Sequence, residues 1–290
     1  MKKTIVTHSG MFHIDDIFAV ATVLLVYPDA KVIRSRDPKV IDSADIVVDV
    51  GMVYDSEKLR FDHHQEGGAD VRPNGIPYAS FGLVWREYGF RLAREGKDII
   101  EEKLVIPIDG PDNGVSIYEP KFEDIEPYTV RDYIYSYLSY DDRSESRLNE
   151  AFMVAVEHAK GILEREITKA EERALGMKEV RKIYESSPDK RIIVLGEDLP
   201  WEPVLSPIHE VMFVVYKRRE GNWGAKGVPV KKFGFDRKKL FPAAWVGKSK
   251  EELAEVSGVP DAVFCHNGRF IATADSKEGA MQLAEIALNS

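Results

Sequence analysis

The sequence predicts a two-domain α/β protein, and three observations support this fold class. Short runs rich in valine and isoleucine alternate with helix-like segments in the first part of the chain, which is typical of a mainly parallel sheet. A long charged segment without proline, residues 144–186, follows this part. At 290 residues the chain is also more typical of two domains than of one. We therefore expect a first domain over residues 1–140, a connecting helix over 141–187 and a smaller α+β domain over 188–290.

The first domain begins with a predicted strand, residues 3–7, and continues through a glycine-containing loop into a helix. Asp15 and Asp16 precede an apolar run over residues 17–26, and Pro28 follows it. Acids in the first turn and a proline after the last turn are helix signals. We predict further strands at residues 31–34, 46–50 and 59–61, and further helices at residues 80–95 and 99–105.

One apolar stripe marks the segment 144–186 as a single helix. Apolar residues recur there at steps of three and four, namely Leu148, Phe152, Ala155, Ala159, Leu163, Ile167, Ala170, Ala174 and Met177. Two glycines and the lack of a clean heptad favour a connector packed between domains over a coiled-coil helix. In the last domain we predict strands at residues 192–195, 211–216, 262–265 and 270–274, and a final helix at 277–288.

Composition is that of a soluble globular protein, with 44% apolar and 31% charged residues. No segment approaches the roughly 20 consecutive apolar residues that a membrane-spanning helix needs. The N-terminus enters a strand-like run without the apolar core of a signal peptide. Cys265 is the only cysteine, which excludes an intrachain disulfide and predicts a cytoplasmic location.

Charge is unevenly distributed along the chain. The net charge is −9, which argues against a nucleic-acid coat protein, yet residues 217–250 contain eleven basic residues and two acids. This basic segment is either a solvated face or a surface that follows a phosphate backbone. The second interpretation makes Lys231 and Lys232 substrate contacts. It also makes Trp223, between Asn222 and Gly224, the best candidate for stacking on a base.

Histidines and aspartates follow four apolar runs of the first domain. His8 follows residues 4–7, Asp49 follows 46–48, Asp62, His63 and His64 follow 59–61, and Asp109 follows 104–108, with Asp112 close behind. Because the carboxyl ends of parallel strands share one edge of a sheet, we expect these runs to deliver their polar residues to one crevice. His13, Asp15 and Asp16 add side chains from the first loop.

This set of aspartates and histidines, without thiolates, is typical of a divalent metal site. It suits Mn²⁺, with Mg²⁺, Co²⁺ and Zn²⁺ as alternatives. Two cations about 3.5–4 Å apart, sharing a carboxylate such as Asp49 or Asp112, would clamp a phosphate and activate water. Taken singly, Asp49 and Asp112 also fit turns, and Asp15 or Asp16 fits a helix N-cap.

The motifs resemble, in order, the four motifs of the DHH phosphoesterases, and most closely those of the Myg (melanocyte proliferating gene) family. The segments that carry this resemblance are residues 7–8 with 12–16, 45–51, 60–65 and 109–114. Residues 241–245 and 264–271 also resemble C-terminal motifs of that family, so the resemblance covers nearly the whole chain. It implies a DHH-like first domain and a metal-dependent phosphodiesterase, described in that family as a 3′–5′ RNA exonuclease.

The resemblance also implies a role for each site residue. His8, His13 and Asp49 would hold one ion, and the other would be held by Asp15, Asp49, His63 and Asp112, with Asp49 bridging the two. Asp109 competes with Asp112 for the fourth motif. His64 would face the substrate phosphate, Asp62 would orient a ligand, and Asp16 is grouped with them as a catalytic residue.

In the last domain, residues His266, Asn267, Gly268 and Arg269 lie between two predicted strands. They form either a polar hairpin turn or a clamp for a phosphate or base, because arginine offers a bidentate fork and glycine permits close backbone approach.

We expect the active site in a cleft between the domains and single-stranded nucleic acid, RNA in particular, as the substrate. A small-nucleotide phosphatase or phosphodiesterase is the alternative within this class, and a metal-binding regulatory module without turnover is the alternative outside it. The intact set of ligands argues against the module. The sequence leaves a homodimer open.

Overall fold

The structure, a computed structural model, describes residues 2–122, 125–231 and 234–290. The chain divides into two compact units, Met1–Glu172 and Arg173–Ser290. In the described part of the chain, none of the helices combines the length and the apolar character needed to cross a membrane.

Unit 1 contains a five-stranded sheet with the order β2-β1-β3-β5-β4. Its strands are β1 (Thr4–Thr7), β2 (Lys31–Arg34), β3 (Ile46–Val48), β4 (Tyr54–Asp55) and β5 (Arg60–Phe61). All neighbours pair in parallel except β4, which is antiparallel to β5. The central strands are almost fully buried, as expected for runs rich in valine and isoleucine with helices packed against them. The predicted α/β class with a mainly parallel sheet is confirmed.

The first six helices of unit 1 are short except for two that pack on each other. They are α1 (Ile14–Val26), α2 (Pro38–Asp42), α3 (Ser80–Ala93), α4 (Lys97–Ile100), α5 (Ile106–Asp112) and α6 (Val130–Tyr135), with a 3₁₀ turn at Arg94–Gly96. α1 begins where Asp16 accepts a hydrogen bond from the backbone N–H of His13, at 3.0 Å. It packs against α3 through Phe18 and Phe81, whose ring centroids are 5.4 Å apart.

The fourth apolar run of this domain is helical, so our expectation that Asp109 and Asp112 follow a strand is wrong. A π-helical turn, Glu101–Val105, joins α4 to α5, and the helix predicted for residues 99–105 therefore extends from Lys97 to Asp112. Pro107 is the second residue of α5 and directly follows the π-helical turn and Ile106. Gly114 follows the helix with a φ of 74°. Asp15 and Asp16 lie in the first turn of α1, as the acids at the start of that helix predicted, rather than in the loop before it.

The longest element is α7 (Glu145–Ser186), a helix of 42 residues that matches the predicted segment. Its apolar stripe is buried as expected, with Phe152, Ala159 and Leu163 in the core of unit 1. Farther along, Val180 belongs to a core cluster of unit 2. The boundary between the two units falls within this helix.

Unit 2 contains a second five-stranded sheet, with the order β6-β7-β8-β10-β9. Its strands are β6 (Ile192–Leu195), β7 (Phe213–Lys217), β8 (Trp223–Gly227), β9 (Ala262–Cys265) and β10 (Ile271–Ala274). Its helices are α8 (Glu202–Leu205), α9 (Lys250–Ser257) and α10 (Lys277–Asn289), with a 3₁₀ turn at Ala243–Trp245. Only β6 and β7 pair in parallel. We did not predict β8, since its sequence has two glycines and no β-branched residue.

Candidate metal centre

The strand order brings the predicted polar residues to one edge of the sheet in unit 1. β1 and β3 are adjacent and parallel, and the sheet continues from them in opposite directions, which is the place where open α/β sheets bind ligands. His8 follows β1, Asp49 follows β3 and Asp62 follows β5, while the first turn of α1 adds Asp15 and Asp16. All five side chains are buried.

Asp49 lies between two histidines and directs one carboxylate oxygen toward each. Its Oδ2 is 3.4 Å from Nε2 of His8, and its Oδ1 is 3.4 Å from Nε2 of His63. The backbone of Asp49 has a φ of 57°, a left-handed conformation that aspartate adopts more readily than most residues. One carboxylate therefore faces the imidazoles of two histidines, one located after β1 and the other after β5.

Possible ligand atoms that lie within 4.8 Å of one another form three groups among the described residues. These groups are His8, His13 and Asp49; Asp49, His63 and His64; and Asp15, His63 and Asp112. Asp49 and His63 each belong to two of them. Every residue that we expected to bind a metal, apart from Asp109, is in at least one group.

Asp109 is fully buried, but its carboxylate is bound by other groups. Its Oδ2 accepts a hydrogen bond from Nη2 of Arg72 at 2.6 Å, and its Oδ1 accepts one from the N–H of Gly82 at 3.1 Å. Asp112, three residues farther along, has its Oδ2 3.2 Å from Nε2 of His63. Of the two aspartates that compete for the fourth motif, Asp112 is the one that faces the cluster.

His64 is half exposed and is oriented by Asp62. Nδ1 of His64 lies 2.8 Å from Oδ1 of Asp62, which also accepts the backbone N–H of His64 at 3.1 Å. The second carboxylate oxygen of Asp62 accepts the backbone N–H of Met52 at 2.6 Å. The buried Asp62 thus fixes an imidazole whose side chain is 50% exposed.

Burial and the charges within the cluster strongly shift the pKa values of its own residues. Burial by itself lowers the pKa of His8, but the carboxylates of Asp16 and Asp49 outweigh burial and raise this pKa to about 10. Asp112 and Asp49 raise the pKa of His63 to about 11 against the same effect of burial. Burial alone would raise the pKa of Asp49, yet the two histidines hold it below its usual range. The positive charge of protonated imidazoles offsets the negative charge of the buried carboxylates. A divalent cation would take over that role, and its binding would release the imidazole protons.

Three buried polar atoms test whether these residues fit a metal. Nε2 of His8, Nε2 of His63 and Oδ2 of Asp16 have no hydrogen-bond partner among the residues that the structure describes. Nε2 of His8 and Oδ2 of Asp16 are only 2.9 Å apart, but the angle at which they meet does not fit a hydrogen bond. Buried polar atoms are normally hydrogen-bonded, and imidazole and carboxylate donors are those that divalent cations prefer. The residues therefore fit a metal centre.

Two supporting residues were missed by the sequence analysis. Ser80, at the beginning of α3, donates a hydrogen bond from Oγ to Oδ1 of Asp49 at 2.9 Å. The backbone N–H groups of Ser80 and Phe81 bind the two carboxylate oxygens of Asp15, at 3.0 and 2.8 Å. The start of α3 thus stabilises the anionic side chains of the cluster. Asn113 is the second residue, since its Oδ1 lies 3.2 Å from Nδ1 of His63.

In unit 2, four of the five residues between β9 and β10 form a tight turn. Nδ1 of His266 accepts the N–H of Gly268 at 2.9 Å, and its ring packs on Phe270 with centroids 4.3 Å apart. Arg269 has a φ of 54°, and its Nη1 donates to the carbonyl of Phe241 at 3.4 Å. Asn267 is exposed. The hairpin-turn interpretation therefore accounts for the geometry, and a role in substrate binding stays a prediction.

The other predicted substrate contacts lie in or after β8. Trp223 is half-buried and packs against the core of unit 2. Lys231 is exposed, whereas Lys232 lies outside the described residues.

Comparison with known proteins identifies a family model and relatives that match nearly the whole chain. The model of the "Uncharacterised protein family (UPF0160)", named MYG1_exonuc, matches residues 4–288. The chain is 30% identical to the MYG1 protein of Dictyostelium discoideum, over 99% of this chain and 96% of that protein. It is 30% identical to the MYG1 protein YER156C of Saccharomyces cerevisiae, over the same shares of the two chains. It is 29% identical to the human MYG1 exonuclease, over 97% of this chain and 85% of the human protein. The chain therefore belongs to the MYG1 family, UPF0160.

Proposed function

We propose that the chain is a metal-dependent phosphodiesterase that removes nucleotides from the 3′ end of RNA or of short single-stranded nucleic acid. The observation that carries this proposal is Asp49, whose two carboxylate oxygens face His8 and His63 separately. Relatives from human and cattle are named exonucleases, which supports hydrolysis of phosphodiester bonds.

The geometry supports two metal positions on either side of Asp49. One position would be held by His8, His13 and Asp49, which form one of the groups. The other would be held by Asp15, His63 and Asp112, which form another group, together with Asp49, whose Oδ1 lies 3.4 Å from Nε2 of His63. This donor set favours Mn²⁺, with Mg²⁺, Co²⁺ or Zn²⁺ as alternatives. When bound, such a pair of cations would neutralise phosphate charge and lower the pKa of a bound water.

The protein's own residues would orient the substrate. Asp62 binds Nδ1 of His64 and raises the pKa of this imidazole, which favours the protonated ring whose Nε2 can donate to an oxygen of the scissile phosphate. Asp16 lies beside His8 and accepts the backbone N–H of His13, so it would position both histidines of the first loop. In unit 2 we propose His266, Asn267, Gly268, Arg269, Trp223, Lys231 and Lys232 as substrate contacts.

One observation favours the alternative of a small-nucleotide phosphodiesterase. Several cations of the basic segment are bound within unit 2, and they leave fewer charges for a phosphate backbone. Lys226 pairs with Glu202 at 2.7 Å, and Lys238 donates to the carbonyl of Ile208 at 2.6 Å. End-labelled RNA distinguishes the two functions: shortening from the 3′ end supports the exonuclease, and turnover of dinucleotides only supports the alternative. A cytoplasmic location and a homodimer stay predictions.

Replacement of Asp49 by alanine tests the proposed centre. We expect Asp49→Ala to lose both metal content and turnover of a model phosphodiester, because no other carboxylate faces both His8 and His63 among the described residues. Elemental analysis and a hydrolysis assay measure the two effects. Asp42→Ala, which removes an exposed carboxylate of the same unit, is the matched control. An Asp49→Ala protein that retains two metals and most of its activity would refute the dinuclear centre.

A further inference from the structure

Asn113 contacts His63 on the side of the ring that faces away from the carboxylates. Asn113 follows Asp112 at the end of α5, and its Oδ1 lies 3.2 Å from Nδ1 of His63. The other ring nitrogen, Nε2, lies 3.2 Å from Asp112 and 3.4 Å from Asp49. The two nitrogens of His63 therefore have different partners.

The orientation of the Asn113 amide is fixed by a second hydrogen bond. Its Nδ2 donates to the backbone carbonyl of Asp109 at 2.9 Å. An amide nitrogen only donates and a carbonyl oxygen only accepts, so this contact requires Nδ2 on the Asp109 side and Oδ1 on the His63 side. Because an amide oxygen cannot donate, Nδ1 of His63 must carry the hydrogen. The lone pair of the neutral ring then lies on Nε2.

Asp109 is anchored in turn, which makes this arrangement rigid. Its carboxylate binds Arg72 and the N–H of Gly82, and its carbonyl accepts both the side chain and, at 3.1 Å, the backbone N–H of Asn113. Arg72 and Asp109 are both buried. The buried ion pair thus holds the end of α5, where Asn113 meets His63.

His8 shows the same arrangement with a different acceptor. Its Nδ1 lies 3.2 Å from the backbone carbonyl of Ser9, and its Nε2 faces Asp16 and Asp49. A carbonyl also only accepts, so both buried histidines present Nε2 to the carboxylates. In His8 the acceptor belongs to the backbone, whereas in His63 it belongs to a side chain that can be replaced.

We propose that Asn113 is a positioning residue that sets the tautomer of His63, so that Nε2 of this histidine binds a metal together with Asp49 and Asp112. The proposal rests on the metal centre of the proposed function. Asp109 has the related role of anchoring Asn113 through its carbonyl, rather than binding the ion. Partners that orient a metal-binding histidine in this way typically contribute about 10–100-fold in metal affinity.

Three variants test the role of Asn113. Asn113→Leu keeps the approximate shape but removes the acceptor, and we expect Zn²⁺ to bind about 10–100-fold more weakly. Asn113→Asp keeps an acceptor for Nδ1, so its loss of affinity should be smaller than that of the leucine variant. Asn74→Leu, the same change at an exposed turn of unit 1, should leave the affinity unchanged. Titration calorimetry of the full chain with Zn²⁺ measures all three.

Nitrogen-15 NMR of the Zn²⁺-loaded wild-type protein reads the tautomer directly, even where a variant fails to fold. We expect Nδ1 of His63 to carry the hydrogen and Nε2 to bind the metal. Metal on Nδ1, or an Asn113→Leu protein with unchanged affinity, would overturn the role of Asn113 while leaving the metal centre intact. A wild-type protein that binds no divalent cation would instead refute the proposed function.

Discussion

The cluster of histidines and aspartates in unit 1 and the basic segment of unit 2 are both concentrations of charged or ionisable residues, but only the first is largely buried. Asp15 and Asp16 are fully buried and Asp49 is 3% exposed, so their charges have few partners other than histidines and the N–H groups that begin α3. Burying a carboxylate is costly unless it is paired, hydrogen-bonded or bound to a metal. Burial therefore makes the cluster a strong indication of a ligand.

The basic segment distributes its charges over strands and loops, and several are engaged locally. Lys226, Lys238 and Lys239 contact Glu202, the carbonyl of Ile208 and the carbonyl of Ser290, respectively. Lys217, Arg219, Lys231 and Lys250 are exposed. The comparison teaches that a run of like charges in a sequence overstates the charge that a partner can reach, whereas buried ionisable residues seldom lack a function.

Among changes that should leave the metals in place, removal of the exposed imidazole is the one from which we expect the largest effect. His64→Ala should retain its metals, because Asp62 rather than a metal fixes its Nδ1, yet lose turnover by about 10²–10⁴-fold, the range for a positioned acid or electrostatic group. Metal content and the rate of phosphodiester hydrolysis measure this separation. His209→Ala, at an exposed histidine of unit 2, is the control. Loss of metal from His64→Ala would place His64 among the ligands and enlarge the buried cluster.

Two arginines that pack on the same ring test how much burial matters. Arg72 lies 3.8 Å and Arg86 lies 4.5 Å from the ring centroid of Tyr78, and each pairs with an aspartate. Arg72→Leu leaves the carboxylate of Asp109 buried and unpaired, which should lower the free energy of unfolding by about 3–5 kcal/mol. The more exposed pair of Arg86 with Asp70 is worth about 0–1 kcal/mol. Denaturant unfolding of Arg72→Leu and Arg86→Leu measures both, and equal losses would contradict the importance of burial.

Charge reversal in the basic segment should have the smallest effect on activity, and this effect should be confined to polymeric substrates. If Lys231 contacts a phosphate backbone, Lys231→Glu should weaken RNA cleavage and reduce the slope of log affinity against log salt by about 0.7 per contact. Hydrolysis of a small phosphodiester should change little. Lys277→Glu reverses an exposed lysine of unit 2 outside the segment and is the matched control. Equal effects on the RNA and on the small ester would favour the small-nucleotide alternative.

Much of the sheet edge in unit 1 could be predicted because the residues that matter follow strands of strong β propensity. Val6 and Val47 pair in the central strands, and the polar residues that come next, His8 and Asp49, are local in sequence. The end of α5 was mispredicted, since an apolar run that contains Pro107 has no periodicity that separates strand from helix. Ser80 reaches the cluster only through tertiary packing, and Asn113, although it adjoins Asp112 in the fourth motif, meets His63 only in the folded chain, so no local pattern identifies these two contacts.

A crystal structure of the protein with Mn²⁺ and a bound nucleotide tests the central claim most directly. The anomalous signal of manganese gives the positions of the ions without reference to the protein atoms. We expect two ions about 3.5–4 Å apart, with one oxygen of Asp49 on each and Nε2 of His8 and of His63 on opposite sides. A single ion, or an ion bound by Asp109 in place of Asp112, would contradict the account.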